Sequence, residues 1–503
     1  QAWWCHAPWP GTHRMIPAVL EKRRAGILLH PTSLPGGIGN GDLGAEAHRF
    51  VDFLAQSGNS VWQMLPLGPT HSDGSPYHAL SLHAGNPLLI SLERLVEWGW
   101  LDKHDPAGVD NAIAYRLERL TQAHRFFSRH AAESDRRAFE AFIHSEAHWR
   151  EDYALYRALR RELSGLAWYQ WPVPLRDREP EALAMARVRL VDNIEQVCFE
   201  QFAFARQWQA LRAHANERDV LLFGDMPIFV AHDSVDVWTH REYFTLDAAG
   251  QPTVVAGVPP DYFSTDGQRW GNPLYRWERL QAQGFRWWIE RLTTEFRRFD
   301  LLRIDHFRGF EACWEIPVAE KTAVNGRWVK VPGEALFQAL KAHFGLLPLA
   351  AEDLGLITPE VYELRDKFGL PGMIILQFAF DSGPDNPYLP HNHCPSCVVY
   401  TGTHDNDTTL AWFEDLPAER QLQVVEYLGY PQEPIPWPLI RAALASVSQL
   451  AIIPMQDFLG LGRGQRMNTP GTTDGNWRWR FEWEQIAPGL GERLRRMVRM
   501  YGR

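Results

Sequence analysis

Eight short apolar runs, most of them followed by a helix-like stretch, constrain this chain more than any other feature. They lie at residues 27–30, 61–65, 220–224, 301–304, 347–351, 373–378, 398–401 and 451–455. Each is too short for a helix. None shows the polar alternation of a strand with one wet face, so each reads as a strand buried on both sides. The pattern predicts an α/β fold, a (β/α)8 TIM barrel over residues 26–503, with residues 1–25 as an N-terminal extension and lead-in. No low-complexity tract or Ser/Gly linker divides the chain, and no separate C-terminal β-domain is expected.

Two connections are too long for an ordinary crossover. Residues 88–215 carry helical periodicity, with Ile113, Leu117, Leu120 and Phe127 on one face and Trp149, Tyr153, Tyr156 and Leu163 on another. They read as a mainly helical insertion after strand two. Residues 226–273, after strand three, read as a long irregular segment containing VPPDYFSTDGQRWGNPLY. Residues 277–299 read as one amphipathic helix. The loop after strand two holds Asp73, Ser75, Tyr77 and Asn86 in a turn-rich setting suited to binding.

The strand ends carry charge. Asp225 ends strand three, Asp305 strand four, Glu352 strand five, and Asp405 follows strand seven. Arg303, His306 and Arg308 crowd Asp305, and His404 precedes Asp405. In a parallel barrel these ends converge on one pit, where chemistry is done. Crowded carboxylates repel, so at least one holds its proton at neutral pH. A protonated carboxyl beside an ionised one is the equipment of glycoside chemistry: one attacks the anomeric carbon, the other protonates the leaving oxygen. Arg303 would keep the attacking carboxylate ionised, and His306 and His404 would donate to sugar hydroxyls. Each piece alone has a plainer reading, as an N-cap or a buried Arg–Asp pair. A hard-cation site is the other reading, but no HxH or HExxH accompanies the carboxylates, and Arg303 would repel a cation from Asp305. No metal and no cofactor is expected.

Composition excludes some partners. The net charge of -10 argues against nucleic acid, and no run of about 18 apolar residues offers a membrane span. Five cysteines (Cys5, Cys198, Cys313, Cys394 and Cys397), an odd and low number for this length, suit a cytoplasmic protein. The 22 tryptophans are sugar-stacking surfaces or ordinary core. The first fourteen residues lack the charged-then-apolar order of a signal peptide, and Met15 reads as a native start with an extension before it.

Longer stretches then become informative. LLHPTSLPG, VWQMLPLGPT, SPYHALSLHAGNP, GDMPIFVAHDSVDVW, GVPPDYFSTDGQRWGNPLY, LLRIDHFRGF, GRWVKVPGEALF, AEDLG, LPGMIILQFAF, NPYLPHN, VVYTGTHDNDTT and RMNTPGTTDGNWRWR run in order from about residue 26 to residue 480. Together the chain resembles the amylomaltases, 4-alpha-glucanotransferases (disproportionating enzymes) of the α-amylase superfamily. The resemblance implies transfer of α-1,4-glucan segments between maltooligosaccharides, starch or glycogen chains by a retaining double displacement, with cyclisation as a possible variant. It implies Asp305 as nucleophile, Glu352 as general acid/base and Asp405 as the third carboxylate, which binds and distorts the sugar. Arg303, Asp225, His306 and His404 match positions that hold that subsite, Tyr77 and Trp270 match aromatic positions along the groove, and residues 257–273 match a covering loop. A plain α-glucan hydrolase would use the same trio, and a non-catalytic glucan-binding protein would need only the tryptophans. The expected assembly is a monomer or weak oligomer. The extension before Met15 and the Cys394–Cys397 CxxC have no counterpart in the resemblance; one such pair cannot fill a four-ligand zinc site unless His391 or His393 adds to it.

Overall fold

The computed structural model describes residues 20–261 and 264–503. The N-terminal extension with Cys5 and Met15, and residues 262 and 263 of the expected covering loop, lie outside the described residues. Among the described residues there are twelve strands: β1 (Arg24–Leu28), β2 (Val61–Gln63), β3 (Leu221–Pro227), β4 (Val254–Val258), β5 (Gln268–Pro273), β6 (Leu301–Asp305), β7 (Ala312–Pro317), β8 (Arg327–Lys330), β9 (Leu349–Ala351), β10 (Gly372–Ile375), β11 (Cys397–Tyr400) and β12 (Leu450–Pro454). Eight of them form one parallel sheet in the order β10-β11-β12-β1-β2-β3-β6-β9. Its two ends meet where the Ala351 N–H donates to the Pro371 carbonyl at 2.8 Å. At the same seam Asp353 accepts the Met373 N–H at 2.8 Å and pairs with Arg365. The sheet is thus a nearly closed barrel, and it contains the eight runs read from the sequence, shifted by a few residues at their ends.

The barrel strands are buried on both faces, as their composition requires. Gly224 has a packing reason: a Cβ there would stand 2.3 Å from the Phe299 ring. The outer helices bury single apolar stripes. Ala45–Gln56 buries Ala47, Phe50, Val51 and Leu54, and Leu490–Met500 buries Leu490, Leu494, Met497 and Val498. No described helix is long and apolar enough to cross a membrane, and no strand follows β12.

The region between β2 and β3 is helical, as expected, but its last helix, Val191–Asn216, belongs to the barrel layer: it packs on Ala45–Gln56 and β3. The apolar face proposed for Ala112–His130 is only partly right. Ile113 is 56% exposed, and the buried stripe is Arg116, Leu120, Ala123 and Phe127. Arg116 takes the core position because its guanidinium meets buried Asp42 at 2.9 Å, a compensation that periodicity of apolar residues cannot reveal.

Two further expectations are corrected. Residues 277–299 are two helices, Trp277–Ala282 and Arg286–Arg298. The chain turns between them at Gly284 and Phe285, both left-handed, so that Phe285 is buried. The segment 226–273 is not simply irregular. It contains the helix Val235–Thr239 and strands β4 and β5. These join β7 and β8 in a four-stranded antiparallel sheet, β5-β4-β7-β8, that stands beyond the carboxyl end of β6. The partners come from either side of β6 in sequence, so neither half reads as a sheet alone.

The tryptophans divide by environment. Trp62, Trp100, Trp168, Trp238 and Trp288 are among the largest fully buried side chains. Trp270 and Trp328, both on the small sheet, are exposed.

Candidate active site

The parallel register between β3 and β6 sets the floor of the pit. It aligns Asp225 with Arg303 and Pro227 with Asp305. Both Asp225 oxygens accept from Arg303 Nη1, at 2.9 and 2.7 Å. The other guanidinium nitrogen, Nη2, donates to Asp305 Oδ1 at 2.8 Å. Tyr77, from the loop after β2, donates its hydroxyl to Asp225 Oδ2 at 2.6 Å. Burial alone would weaken the Arg303 charge, but Asp225 and Asp305 beside it hold its pKa well above the ordinary value. Asp225 and Arg303 are almost wholly buried, whereas the Asp305 side chain keeps 30% of its surface open to the pit. One guanidinium therefore anchors a buried carboxylate with one arm and presents an accessible one with the other.

Glu352 follows β9, next to β6 in the barrel. Its Oε2 accepts the His306 N–H at 2.7 Å, and its Oε1 accepts the Leu354 N–H at 3.0 Å. Burial pushes its carboxyl up to about 8; Arg303 opposes the shift and the Asp305 charge adds to it. The residue is half-buried. The site thus holds two carboxyls with different environments: one paired with a guanidinium, the other neutral at pH 7.

His306 sits in the left-handed region at φ 55°, which few residues other than glycine adopt without support. The turn aims its backbone N–H at Glu352 and its ring at the small sheet. Trp270 meets that ring edge-on at 4.8 Å, and Phe229 lies 6.1 Å from it. Burial lowers the imidazole pKa to about 4, so the ring is neutral, and its Nε2 is buried without a protein partner. Trp270 is 40% exposed, with its Nε1 donating to Gln268 at 3.1 Å.

Asp405 lies in the turn after β11. Its side chain is 44% exposed, and His404 Nε2 lies 3.4 Å from its Oδ1. The His404 ring stacks on Tyr77, centroids 5.2 Å apart and planes within 15°, which ties the β11 wall to the β2 loop. Trp477 lies against both rings. Tyr77, Asp225, Trp270, Arg303, Asp305, His306, Glu352, His404 and Asp405 are thus joined by one chain of contacts, whereas Asn86 caps the turn Pro87–Leu89 and Arg308 lies over the Trp328 ring.

The sequence reading passed over Asn468 and Arg466. Asn468 Nδ2 donates to Asp405 Oδ1 at 2.7 Å, and Arg466 Nη2 donates to the Asp405 carbonyl at 2.6 Å. Both reach back from the loop after β12. The only sequence signal was their place in RMNTPGTTDGNWRWR, a polar run amid Pro and Gly.

Comparison with known proteins agrees with this geometry. A family model described as 4-alpha-glucanotransferase matches residues 29–485. The 4-alpha-glucanotransferase of Thermus thermophilus is 51% identical over 490 residues, covering 95% of this chain and 98% of that protein. That of Synechocystis is 50% identical over 499 residues, covering 96% and 99%. The amylomaltase of Streptococcus agalactiae, solved in complex with acarbose, superposes with a TM-score of 0.92 at 39% identity, covering 96% of this chain and all of the other. The chain belongs to the 4-alpha-glucanotransferase family.

Proposed function

We propose that this 4-alpha-glucanotransferase moves α-1,4-glucan segments by double displacement, with Asp305 as nucleophile and Glu352 as acid/base. The observation that carries the assignment is the electrostatic contrast between them. Glu352 carries a proton at neutral pH, and Asp305 is paired with Arg303. In the first step Glu352 protonates the glycosidic oxygen while Asp305 attacks the anomeric carbon, giving a β-glucosyl ester. The leaving chain departs with its new 4-hydroxyl. Glu352, now ionised, takes the proton of an incoming sugar 4-hydroxyl, which displaces Asp305 and restores the α configuration.

The remaining residues bind and orient. Asp405, held by Asn468, takes the sugar hydroxyls and favours its distorted ring. Asp225 and Tyr77 fix the Arg303 guanidinium. His404 and the neutral His306 donate to hydroxyls, and Trp270 stacks on the acceptor side. Loss of the ester intermediate to attack by water is limited by the small sheet beyond β6. No resident metal or cofactor is required: Arg303 supplies positive charge between Asp225 and Asp305. A cytoplasmic location fits the odd, low number of cysteines, and we propose a monomer or weak oligomer.

The test is incubation with maltotriose. Transfer yields glucose and a ladder of longer chains at constant reducing-end number. A rise in reducing ends without longer products would identify a hydrolase.

A further inference from the structure

The CxxC of residues 394–397 takes no part in the chemistry above. It lies at the amino-terminal end of β11, where Cys397 is paired in register with Gly372, at the opposite end of the barrel strands from Asp305 and Glu352. The two thiols are free and their sulfurs are in direct contact at 2.6 Å. Their environments differ. Cys397 is 5% exposed, whereas Cys394 is partly open to solvent. The backbone is fixed around them: the Pro395 carbonyl accepts from Cys397 N–H and Gln449 N–H, at 2.8 and 2.9 Å, and Ser448 Oγ donates to the Cys394 carbonyl at 3.1 Å.

The nearby histidines are committed elsewhere. His393 bonds Ser446 Oγ and the Tyr388 carbonyl through its two ring nitrogens, at 2.7 and 2.8 Å. His391 bonds the Tyr427 hydroxyl and the Pro384 carbonyl, at 2.8 and 3.0 Å. Neither offers a free nitrogen, so the pair lacks the ligands of a four-coordinate zinc site.

We infer that Cys394 and Cys397 are a reversible thiol–disulfide pair, with Cys394 as the attacking thiol and Cys397 as the resolving one. The hydrogen bond from Cys397 and then the Arg365 charge draw the Cys394 pKa down, against its burial, which enlarges its thiolate fraction. The co-reactant is a low-molecular-weight disulfide of the glutathione class. The Cys394 thiolate attacks one of its sulfurs, forms a mixed disulfide and releases one thiolate. Cys397 then loses its proton and attacks the Cys394 sulfur, forming the internal disulfide and releasing the second thiolate. Two protein thiols give up two electrons and two protons, and one external disulfide becomes two thiols.

The experiment equilibrates the native full-length protein with oxidised glutathione, quenches with acid, alkylates under denaturing conditions and maps the peptides by mass. The peptide holding Cys394 and Cys397 should lose both alkylatable thiols and carry no glutathione, while dithiothreitol restores both. Cys198 and Cys313, buried and without a cysteine partner among the described residues, should stay alkylatable, and the map separates Cys5 from all of them. Cys397→Ser should retain one glutathione on Cys394, and Cys394→Ser should retain none on Cys397. The wild-type measurement does not depend on either variant folding. Both thiols remaining alkylatable, glutathione persisting on the wild-type peptide, or a bound zinc ion protecting the pair would each overturn the inference.

Discussion

The Glu352 carboxyl accepts the backbone N–H of His306, the residue next to Asp305, at 2.7 Å. The same two segments are laced twice more: Glu352 N–H donates to the Ile304 carbonyl at 3.0 Å, and Phe307 N–H donates to the Glu352 carbonyl at 3.1 Å. The proposed acid/base is thus fixed to the turn that carries the proposed nucleophile by backbone bonds, not by side-chain packing alone. A displacement of one would move the other, and their spacing is set by the fold.

The Glu352 environment gives a pH prediction. Its ordinary value is 4.5 and its folded value about 8, so the folded protein holds this proton more tightly than the unfolded chain. Stability therefore falls as pH rises from about 4.5, and the loss is complete above about 8. Glu352→Gln removes the titration, so its melting temperature should gain on the wild type across that window. Transfer by the wild type should decline as pH rises through about 8, because the acid is lost. A variant whose melting temperature tracks the wild type at every pH would contradict the raised value.

Arg303 holds the floor together. Arg303→Met leaves the buried Asp225 carboxylate without its partner and should cost about 3–5 kcal/mol in urea unfolding. Adding Asp225→Asn should recover part of that loss, because the uncompensated charge is gone. Additive losses in the double variant would show that the pair is not the source of the penalty.

Asn468 positions Asp405 by one hydrogen bond to a carboxylate. Such bonds are worth about 1.5–3 kcal/mol, so Asn468→Ala should lower kcat/KM by about ten- to a hundredfold. The melting temperature should change little, since Asn468 bonds an exposed carboxylate. Equal loss of activity and of fold would assign Asn468 a structural role instead.

Trp270 is 40% exposed, as a stacking surface must be. Trp270→Ala should weaken use of sugar acceptors by about 1–3 kcal/mol, by analogy with aromatic stacking on other flat ligands. Water gains little from that ring, so the ratio of hydrolysis to transfer should rise. An unchanged ratio, with a lower melting temperature, would mean that Trp270 only packs against His306.

Chelation is a further check. The Arg303 guanidinium already lies between Asp225 and Asp305, where a cation would otherwise sit. Activity should survive prolonged chelator treatment and desalting. Loss restored by a single divalent ion would refute a metal-free mechanism.

Much of the site was legible because its carboxyls stand at the ends of apolar runs. Asp225, Asp305 and Glu352 each follow a mainly apolar run, so their place at a barrel mouth followed from pattern alone. Asn468 and Arg466 were not legible, because a loop after β12 reaches the end of β11 only in three dimensions. The small sheet escaped for the same reason: β4 and β5 have no apolar alternation of their own, and the strand that joins them to the rest of the sheet, β7, lies beyond β6. Arg116 was missed because a charge in a helical stripe reads as surface until Asp42 is seen beside it.

The most direct measurement traps the covalent intermediate. Glu352→Gln is incubated with an α-glucosyl fluoride, whose leaving group needs no protonation, then quenched, digested and mapped by mass. A glucosyl adduct on the peptide containing Asp305, absent from the Asp305→Asn/Glu352→Gln double variant, is the predicted result. Fluoride release without any adduct, or an adduct on Asp225 or Asp405, would contradict the assignment of Asp305 as the nucleophile.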